Sequence, residues 1–239
     1  YNKVGWGRIT YLEGLAHSSN VAFVHVVQKI GVEKWKQYLD LFGFGQSTQS
    51  GFLNEATGLN SYNSYLQQLT TGFGQGISVT AFQMVQAFTA IANQGEMKKL
   101  RIVDHEFRPA TNTTVNFSEN SLGQVIKPET AKKTLEYLRK ATTMKDGTSN
   151  GFDIEGEEVA AKTGTAEFVN PETGTYYSYG SNYIYSVVGF APASDPKYIL
   201  YITLKQPQNN PYGAGGSALI KEIFNPMMKR ALDYSRLTQ

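Results

Sequence analysis

Three short segments of this 239-residue sequence carry residue types that could do chemistry. They are Ser18-Ser19-Asn20, Phe73-Gly74-Gln75-Gly76 and Lys162-Thr163-Gly164-Thr165. A serine hydroxyl can attack a carbonyl or pass on a proton when a basic group lies nearby, and a lysine can stabilise a developing negative charge. Each segment alone arises by chance in many proteins. Their order, their spacing and the elements that carry them make the set specific.

The serine segment directly precedes a predicted helix. Apolar residues recur every three positions over residues 21–30, and Gly31 ends that helix. A second helix follows, with apolar side chains on one face between residues 32 and 42. Ser18 and Ser19 could therefore be simple N-caps, which is the usual reason for a serine before a helix.

The middle of the chain is predicted to contain a loop and two further helices. Residues 46–76 are rich in Ser, Asn, Gly and Gln, which indicates a loop. Thr80 and Gln83 form a capping box that begins the next helix. The buried stripe predicted for that helix is Met84, Val85, Phe88, Ile91 and Ala92. Short strands and turns are expected over 100–126, and a helix from Pro128 to about residue 144, with Leu135 and Leu138 inward.

The last third changes to the period of strands. Residues 157–163, 182–191 and 198–205 are predicted strands, and the lysine segment lies on the first of them. A final helix is expected over about 216–234, with a possible kink at Pro226. Helices, then a small antiparallel sheet, then a covering helix make an α+β pattern.

Composition excludes several classes of function. The net charge of +2 without a long basic run argues against nucleic-acid binding. The absence of cysteine excludes disulfides and thiolate sites, and the three histidines lack metal-ligand spacing, so no metal or cofactor is implied. The apolar stretches fall short of the ~20 residues that span a bilayer. Any membrane anchor is therefore expected outside this chain.

With these segments in this order, the chain resembles the class B penicillin-binding proteins of Gram-positive bacteria. Ser-x-Asn on a helical part, followed far downstream by Lys-Thr-Gly on a strand, is the signature of penicillin-binding proteins and serine β-lactamases. The wider similarity covers nearly the whole chain. It comprises LAHSSN (Leu15 to Asn20), FGFG (Phe42 to Gly45), FGQGISVT (Phe73 to Thr80), AFTAIANQG (Ala87 to Gly95), AAKTGTAE (Ala160 to Glu167) and ILYITLKQP (Ile199 to Pro207).

The resemblance implies an α+β penicillin-recognising transpeptidase fold, which is an antiparallel sheet flanked by helices with an added helical subdomain. Residues 1–239 would be the C-terminal part of one such domain, so the fold would be incomplete in this chain. Within it, residues 1–156 would form the mostly helical subdomain. Residues 157–239 would supply sheet strands and the final helix.

The implied function is D,D-transpeptidation of peptidoglycan stem peptides through a serine acyl-enzyme. The donor would end in D-Ala-D-Ala, β-lactams would mimic that terminus, and the reaction would take place at the extracytoplasmic face of the bacterial cell membrane. A serine β-lactamase or D,D-carboxypeptidase, and a β-lactam-sensing binding domain, are the alternatives. The rate of deacylation distinguishes them, because only a hydrolase turns penicillin over quickly.

The resemblance also implies roles for three candidate catalytic residues. Ser18 would relay a proton to the leaving amine, and Lys162 would polarise it and supply positive potential. Asn20 would hold the peptide amide and help orient the lysine of the nucleophile helix.

Four further residues are candidate substrate-binding residues. Thr163 and Thr165 would offer hydroxyls to the substrate carboxylate, and the backbone N–H of Thr165 would form half of an oxyanion hole. Gly164 would let the strand approach the ligand. Gln75, between two glycines, could bind substrate or only shape a turn.

The family's Ser-x-x-Lys motif, which carries the nucleophile, has no acceptable match here. Ser194-Asp195-Pro196-Lys197 fits literally, but it lies in a predicted turn after Lys162, and its proline would spoil a helix. We therefore expect the nucleophile and its lysine on a missing segment or on a second polypeptide, and the chain by itself to be inactive. Without that segment, apolar faces such as Val24–Val27 and Met84–Ile91 are expected to lose a packing partner.

A second apparent match is Glu55 with Leu59 and Asn60. It resembles the Glu-x-x-Leu-Asn run in which one class of β-lactamases keeps the glutamate that activates the deacylating water, but it has one residue too many. We interpret Glu55 as an ordinary residue of a polar loop.

Overall fold

The computed structural model describes residues 5–59, 64–167, 170, 172–175, 183–208 and 216–238. The first part of the chain is helical. Its elements are α1 (Tyr11–Ala16), α2 (Asn20–Ile30), α3 (Val32–Leu41), α4 (Tyr65–Thr70), a 3-10 turn (Thr71–Phe73) and α5 (Ala81–Ala92).

The two helices predicted after the serine segment are confirmed, and so is the capping box. The Thr80 hydroxyl accepts from Gln83 N at 3.1 Å, and Gln83 Oε1 accepts from Thr80 N at 2.9 Å. The loop predicted over 46–76 is wrong in its last part, where α4 and the 3-10 turn lie; residues 60–63 lie outside the described residues. Helix α4 has only six residues, of which Leu69 is the buried one. Six residues are too few for a repeat of apolar residues to indicate a helix in the sequence.

Three residues of the stripe predicted for α5, Phe88, Ile91 and Ala92, pack against a buried core, but the fully buried residues of the helix lie beside that stripe. The predicted apolar stripe is only partly buried, whereas Gln83, Gln86, Ala87 and Ala90 are buried. Gln83 Nε2 donates to the carbonyl oxygens of Gln46 and Thr57, and Gln86 Oε1 accepts from Leu100 N. Polar side chains face inward here because the neighbouring loop brings backbone groups that need hydrogen-bond partners.

The rest of the chain forms antiparallel sheets and two longer helices. The elements are β1 (Glu96–Lys98), β2 (His105–Arg108), β3 (Thr113–Asn116), β4 (Ser121–Gln124), α6 (Pro128–Thr143), β5 (Ala160–Glu167), β6 (Tyr183–Ala191), β7 (Tyr198–Lys205) and α7 (Gly216–Leu237). Strand β1 pairs with β4, β2 pairs with β3, and the main sheet has the order β5-β6-β7. Pairing with β6 sets the limits of β5, from Ala160 opposite Phe190 to Glu167 opposite Tyr183, so the strand lies later than predicted.

The main sheet is covered on both faces. On one face, Ile220, Phe224 and Met228 of α7 pack against Val187 and its neighbours. On the other face, Leu135 and Leu138 of α6 pack on Val188 and Phe190. The prediction that both leucines face inward is confirmed. Pro226 lies inside α7. Among the helices that the structure describes, none has the length and apolar character to cross a bilayer.

The apolar faces expected to lose a partner are partly covered within the chain. Val27 is only 1% exposed, because Gly72 of the 3-10 turn approaches it so closely that a Cβ there would clash with it. Met84 and Ile91 are partly buried, and Ile91 packs against the buried cluster that α6 forms with the main sheet. The 3-10 turn therefore covers Val27, whereas Val24, Met84 and Ile91 are only partly buried, and the loss of a packing partner by these faces stays a prediction.

Candidate active site

A cleft of about 940 Å³ lies between the helical part and the outer edge of β5. The α1–α2 turn and α4 form one wall, and alternate residues of β5 form the other. Residues from all three predicted segments line it, namely Ser18, Ser19, Asn20, Phe73, Gln75, Gly76, Thr163 and Thr165. Segments more than a hundred residues apart in sequence therefore meet at one surface.

Ser18 is held in the α1–α2 turn by an uncommon backbone conformation. Its φ is +53°, in the left-handed region that non-glycine residues seldom adopt. Its backbone N–H donates to Leu15 O at 3.2 Å. Ser19 is the N-cap of α2 and accepts from Ala22 N, so the capping interpretation holds for Ser19 and not for Ser18. Backbone strain at a functional side chain is commonly part of how that side chain is positioned.

The side chain of Lys162 crosses to Ser18. Its Nζ donates to Ser18 Oγ at 2.9 Å and to Thr163 O at 2.7 Å. No carboxylate pairs with Lys162 among the described residues, and burial lowers its pKa to about 8 from the usual 10.5. Because the unfolded chain binds this proton more tightly, the buried ammonium reduces stability below about pH 8, and the loss is relieved as the pH rises from 8 to 10.5.

Hydroxyl groups tie the lysine segment to the rest of the site. Thr163 Oγ1 donates to Thr148 Oγ1 at 2.9 Å, and Thr163 N donates to Ser149 Oγ at 3.3 Å. Thr148 N in turn donates to Ala16 O at 2.8 Å, next to the α1–α2 turn. Thr148 and Ser149 were missed from the sequence. Their only signal is two hydroxyl residues directly after the Asp146-Gly147 turn.

Thr165 and Gly164 lie on opposite faces of β5. Thr165 is exposed and lines the cleft, whereas Gly164 does not line it. A Cβ at Gly164 would come within 2.5 Å of Ser186 Oγ on β6. The absence of a side chain at Gly164 therefore leaves room for Ser186 of β6. The prediction gave this glycine a different purpose, which was to let the strand approach a ligand.

The remaining predicted site residues also face the cleft. Asn20 is the first residue of α2 and is exposed there. Gln75 N donates to Thr70 O at 3.1 Å, between Gly74 and Gly76, whose φ values of +87° and +82° suit glycine. The segment is a tight turn that presents Gln75 to the cleft, so both interpretations of Gln75 stay open. That any of the seven predicted residues acts on a substrate remains a prediction.

The two rejected matches lie away from the cleft. Ser194-Asp195-Pro196-Lys197 lies in the turn between β6 and β7, where Lys197 pairs with Asp195 at 2.7 Å. The Glu55 carboxylate accepts hydrogen bonds from Ser47, Thr48 and Ser50. Asn60 lies outside the described residues. Glu55 is thus engaged within its own loop.

An α+β fold with Ser-x-Asn and Lys-Thr-Gly on opposite walls of one cleft defines the penicillin-recognising class of proteins. The family model for the penicillin binding protein transpeptidase domain matches residues 1–229. Stage V sporulation protein D of Bacillus subtilis is 36% identical over 212 residues, which are 87% of this chain and 32% of that protein. Peptidoglycan D,D-transpeptidase FtsI of Buchnera aphidicola is 27% identical, over 94% of this chain and 37% of that protein.

Solved structures agree with these sequence matches. The crystal structure of penicillin binding protein 2X from Streptococcus thermophilus superposes with a TM-score of 0.87 at 29% identity, over 94% of this chain and 33% of that one. This chain belongs to the transpeptidase-domain family of penicillin-binding proteins, and its relatives are of class B. It spans about a third of the length of these curated relatives.

Proposed function

We propose that this chain forms part of a peptidoglycan D,D-transpeptidase that works through a serine acyl-enzyme and is a target of β-lactams. The observation that carries the proposal is the 2.9 Å hydrogen bond from Lys162 Nζ to Ser18 Oγ. It joins the two signature segments across a cleft large enough for a peptide. Family membership supports the same function, and no finding favours a hydrolase or a sensor.

The direction of that hydrogen bond suits proton relay. Because the lysine donates to Ser18 Oγ, the hydroxyl's own hydrogen is left to point into the cleft. In acylation the nucleophile's oxygen bonds to the penultimate D-alanine carbonyl and the terminal peptide C–N bond breaks. Ser18 would give its proton to the leaving D-alanine amine and take up the proton that the nucleophile's hydroxyl releases through its own lysine. In the second half, the acyl carbon bonds to the acceptor amine, its ester bond to the nucleophile's oxygen breaks, and the proton that the amine loses returns through Ser18 to that oxygen.

Thr165 would bind the donor's terminal carboxylate. The Thr163 hydroxyl already donates to Thr148 Oγ1, whose own hydroxyl donates to Ala16 O. Thr165 is exposed on the same face of β5, and its hydroxyl has no partner among the described residues. The proposal therefore gives Thr165 the direct contact and Thr163 the task of holding the strand in place.

The nucleophile and its lysine would come from a segment outside the 239 residues, because the one literal Ser-x-x-Lys match lies outside the cleft. A second polypeptide that carries this motif has no support from the comparisons, whereas the relatives are single chains about three times longer than the matched part. We propose that the reaction takes place outside the cytoplasm, where peptidoglycan lies, with any membrane anchor also outside this chain.

The test is labelling of the complete protein with a fluorescent penicillin, beside residues 1–239 expressed alone. We expect covalent label on the complete protein and none on residues 1–239. Slow loss of the label would exclude a β-lactamase, and transfer of a donor acyl group to an added amine would exclude a sensor. Label on residues 1–239 alone would show that the nucleophile lies within this chain and would contradict the assignment.

A further inference from the structure

Glu167 is the one carboxylate among the described residues that line the cleft. It is the last residue of β5 and is exposed. Successive side chains of a strand point to opposite faces, so Glu167 shares a face with Thr163 and Thr165, and all three line the cleft. The strand therefore presents two threonines and then an acid along one wall.

The rise per residue of a strand gives the distance along β5 between Glu167 and each of the two threonines. With a rise of about 3.3 Å per residue, Glu167 lies roughly 7 Å beyond Thr165 and roughly 13 Å beyond Thr163. Strand β5 is at one edge of the main sheet, where no described strand pairs with its outer side. An extended peptide could lie along such an edge, with its side chains reaching successive positions on the wall.

The surroundings of Glu167 suit a cation. Among the residues that the structure describes, no lysine or arginine forms an ion pair with it, whereas Glu157 pairs with Arg236 and Glu96 with Lys98. Tyr183 lies directly across on β6 and also lines the cleft. A carboxylate beside an aromatic ring binds ammonium groups through ionic and cation–π attraction.

We propose that Glu167, with Tyr183 beside it, binds an ammonium group on the side chain of the donor peptide, and so selects donors with a basic residue upstream of the scissile bond. This inference rests on the proposed function. A donor whose carboxylate sits at Thr165 and which runs along β5 places its upstream residues at Glu167. The acceptor amine must instead reach the acyl carbonyl, which the proposal places at the Thr165 N–H, two residues before Glu167 on β5, so we assign Glu167 to the donor side chain and not to the attacking amine.

The experiment uses the complete protein and two thioester donor peptides that differ only at the residue before the D-alanine that is transferred: lysine in one, norleucine in the other. The second-order rate of acylation is measured for each donor, without acceptor. We expect wild type to prefer the lysine donor by about 2–5-fold, as exposed ion pairs allow, and the preference to shrink at high salt. Glu167→Gln should abolish the preference. Glu119→Gln, an exposed acid outside the cleft, should keep it.

The outcomes separate this inference from the function on which it rests. Acylation of wild type by a penicillin with an uncharged side chain tests only the function. If that acylation occurs but both donors react equally in wild type, or the preference survives in Glu167→Gln, Glu167 is a solvated strand end and the inference fails. If Glu167→Gln changes only the apparent KM of an added amine acceptor, the ammonium belongs to the acceptor and the inference is overturned.

Discussion

At the scale of single residues, the site depends on a buried lysine that hydrogen-bonds to a hydroxyl and not to a carboxylate. Lys162 is held between Ser18 Oγ and Thr163 O, and burial lowers its pKa to about 8. Such a group weakens the folded state at neutral pH, because its ammonium is removed from water and has no counter-ion in the part of the chain that the structure describes. Retention of a destabilising cation beside a strained serine is typical of a functional site.

Replacement of Lys162 by alanine in the complete protein should therefore slow acylation by penicillin about 10²–10³-fold, the usual loss for one preorganised electrostatic group. Its melting temperature should hardly fall, since an uncompensated buried charge is removed with the side chain. Stopped-flow acylation and thermal unfolding measure the two effects. Lys197→Ala, in the exposed turn between β6 and β7, is the matched control and should alter neither. A large drop in melting temperature with near-normal acylation would make Lys162 a structural residue.

At the scale of elements, the loop over residues 46–59 is held by hydrogen bonds to its own Glu55 and from Gln83 of α5. The Glu55 carboxylate accepts from the backbone and side chain of Thr48, from Ser50 and from Ser47. The loop then pairs Leu59 with Ser78, in the segment between Gln75 and α5. Hydrogen bonds to an internal acid therefore help to shape this polar stretch, and the Leu59–Ser78 pair connects it to the segment before α5.

The pH dependence of stability should report on this loop. Burial raises the pKa of Glu55, but the hydrogen bonds from Thr48, Ser50 and Ser47 outweigh it and lower the pKa to about 2. A carboxyl with a depressed pKa stabilises the fold above its unfolded value of 4.5, and the contribution is lost as the pH falls from 4.5 toward 2. Glu55→Gln should lower the free energy of unfolding at pH 7 by about 1–3 kcal/mol, the worth of hydrogen bonds to a charged group.

Chemical denaturation at pH 7 and at pH 3 gives the comparison. The difference between wild type and Glu55→Gln should be smaller at pH 3, because wild type has by then lost part of the same contribution. Glu119→Gln controls for a general loss of negative charge. Equal differences at both pH values would show that the Glu55 carboxylate is not what stabilises the loop.

At the scale of the whole molecule, both edge strands of the main sheet have one partner each among the described strands. Strand β5 borders the cleft, whereas β7 has β6 as its only described partner. Unpaired strand edges are normally covered, because their free N–H and C=O groups recruit other chains. The proposed function places the nucleophile on a segment outside these 239 residues, and we expect a strand of that segment to pair with β7.

Hydrogen exchange tests this expectation. The outward N–H groups of Tyr198–Lys205 should exchange about tenfold faster or more in residues 1–239 alone than in the complete protein, because an unpaired edge amide exchanges without the opening that a paired strand requires. Amides of β6, which pairs on both sides, provide the internal reference within each sample. Equal exchange of β7 in both proteins, with β6 protected in both, would mean that no further strand pairs there.

The sequence by itself determined the features that depend on local pattern. The capping box of α5, the inward leucines of α6 and the strands β6 and β7 are each indicated by residues close together in the sequence, and the structure confirms them. The signature segments were visible for the same reason, since each is a short run on one element. Their order along the chain was enough to indicate the family.

Only the tertiary structure decided what depends on contacts between distant segments. That Ser18 and not Ser19 faces Lys162 follows from a backbone turn that no side-chain pattern shows. Thr148 and Ser149 hydrogen-bond to Thr163 of β5, about fifteen residues further along the chain. Gln83 faces inward because its side-chain amide donates to a backbone carbonyl of a distant loop. Hydrogen-bond partners of this kind are supplied by the fold, so the residues that make them resemble ordinary loop or surface residues until the chain is packed.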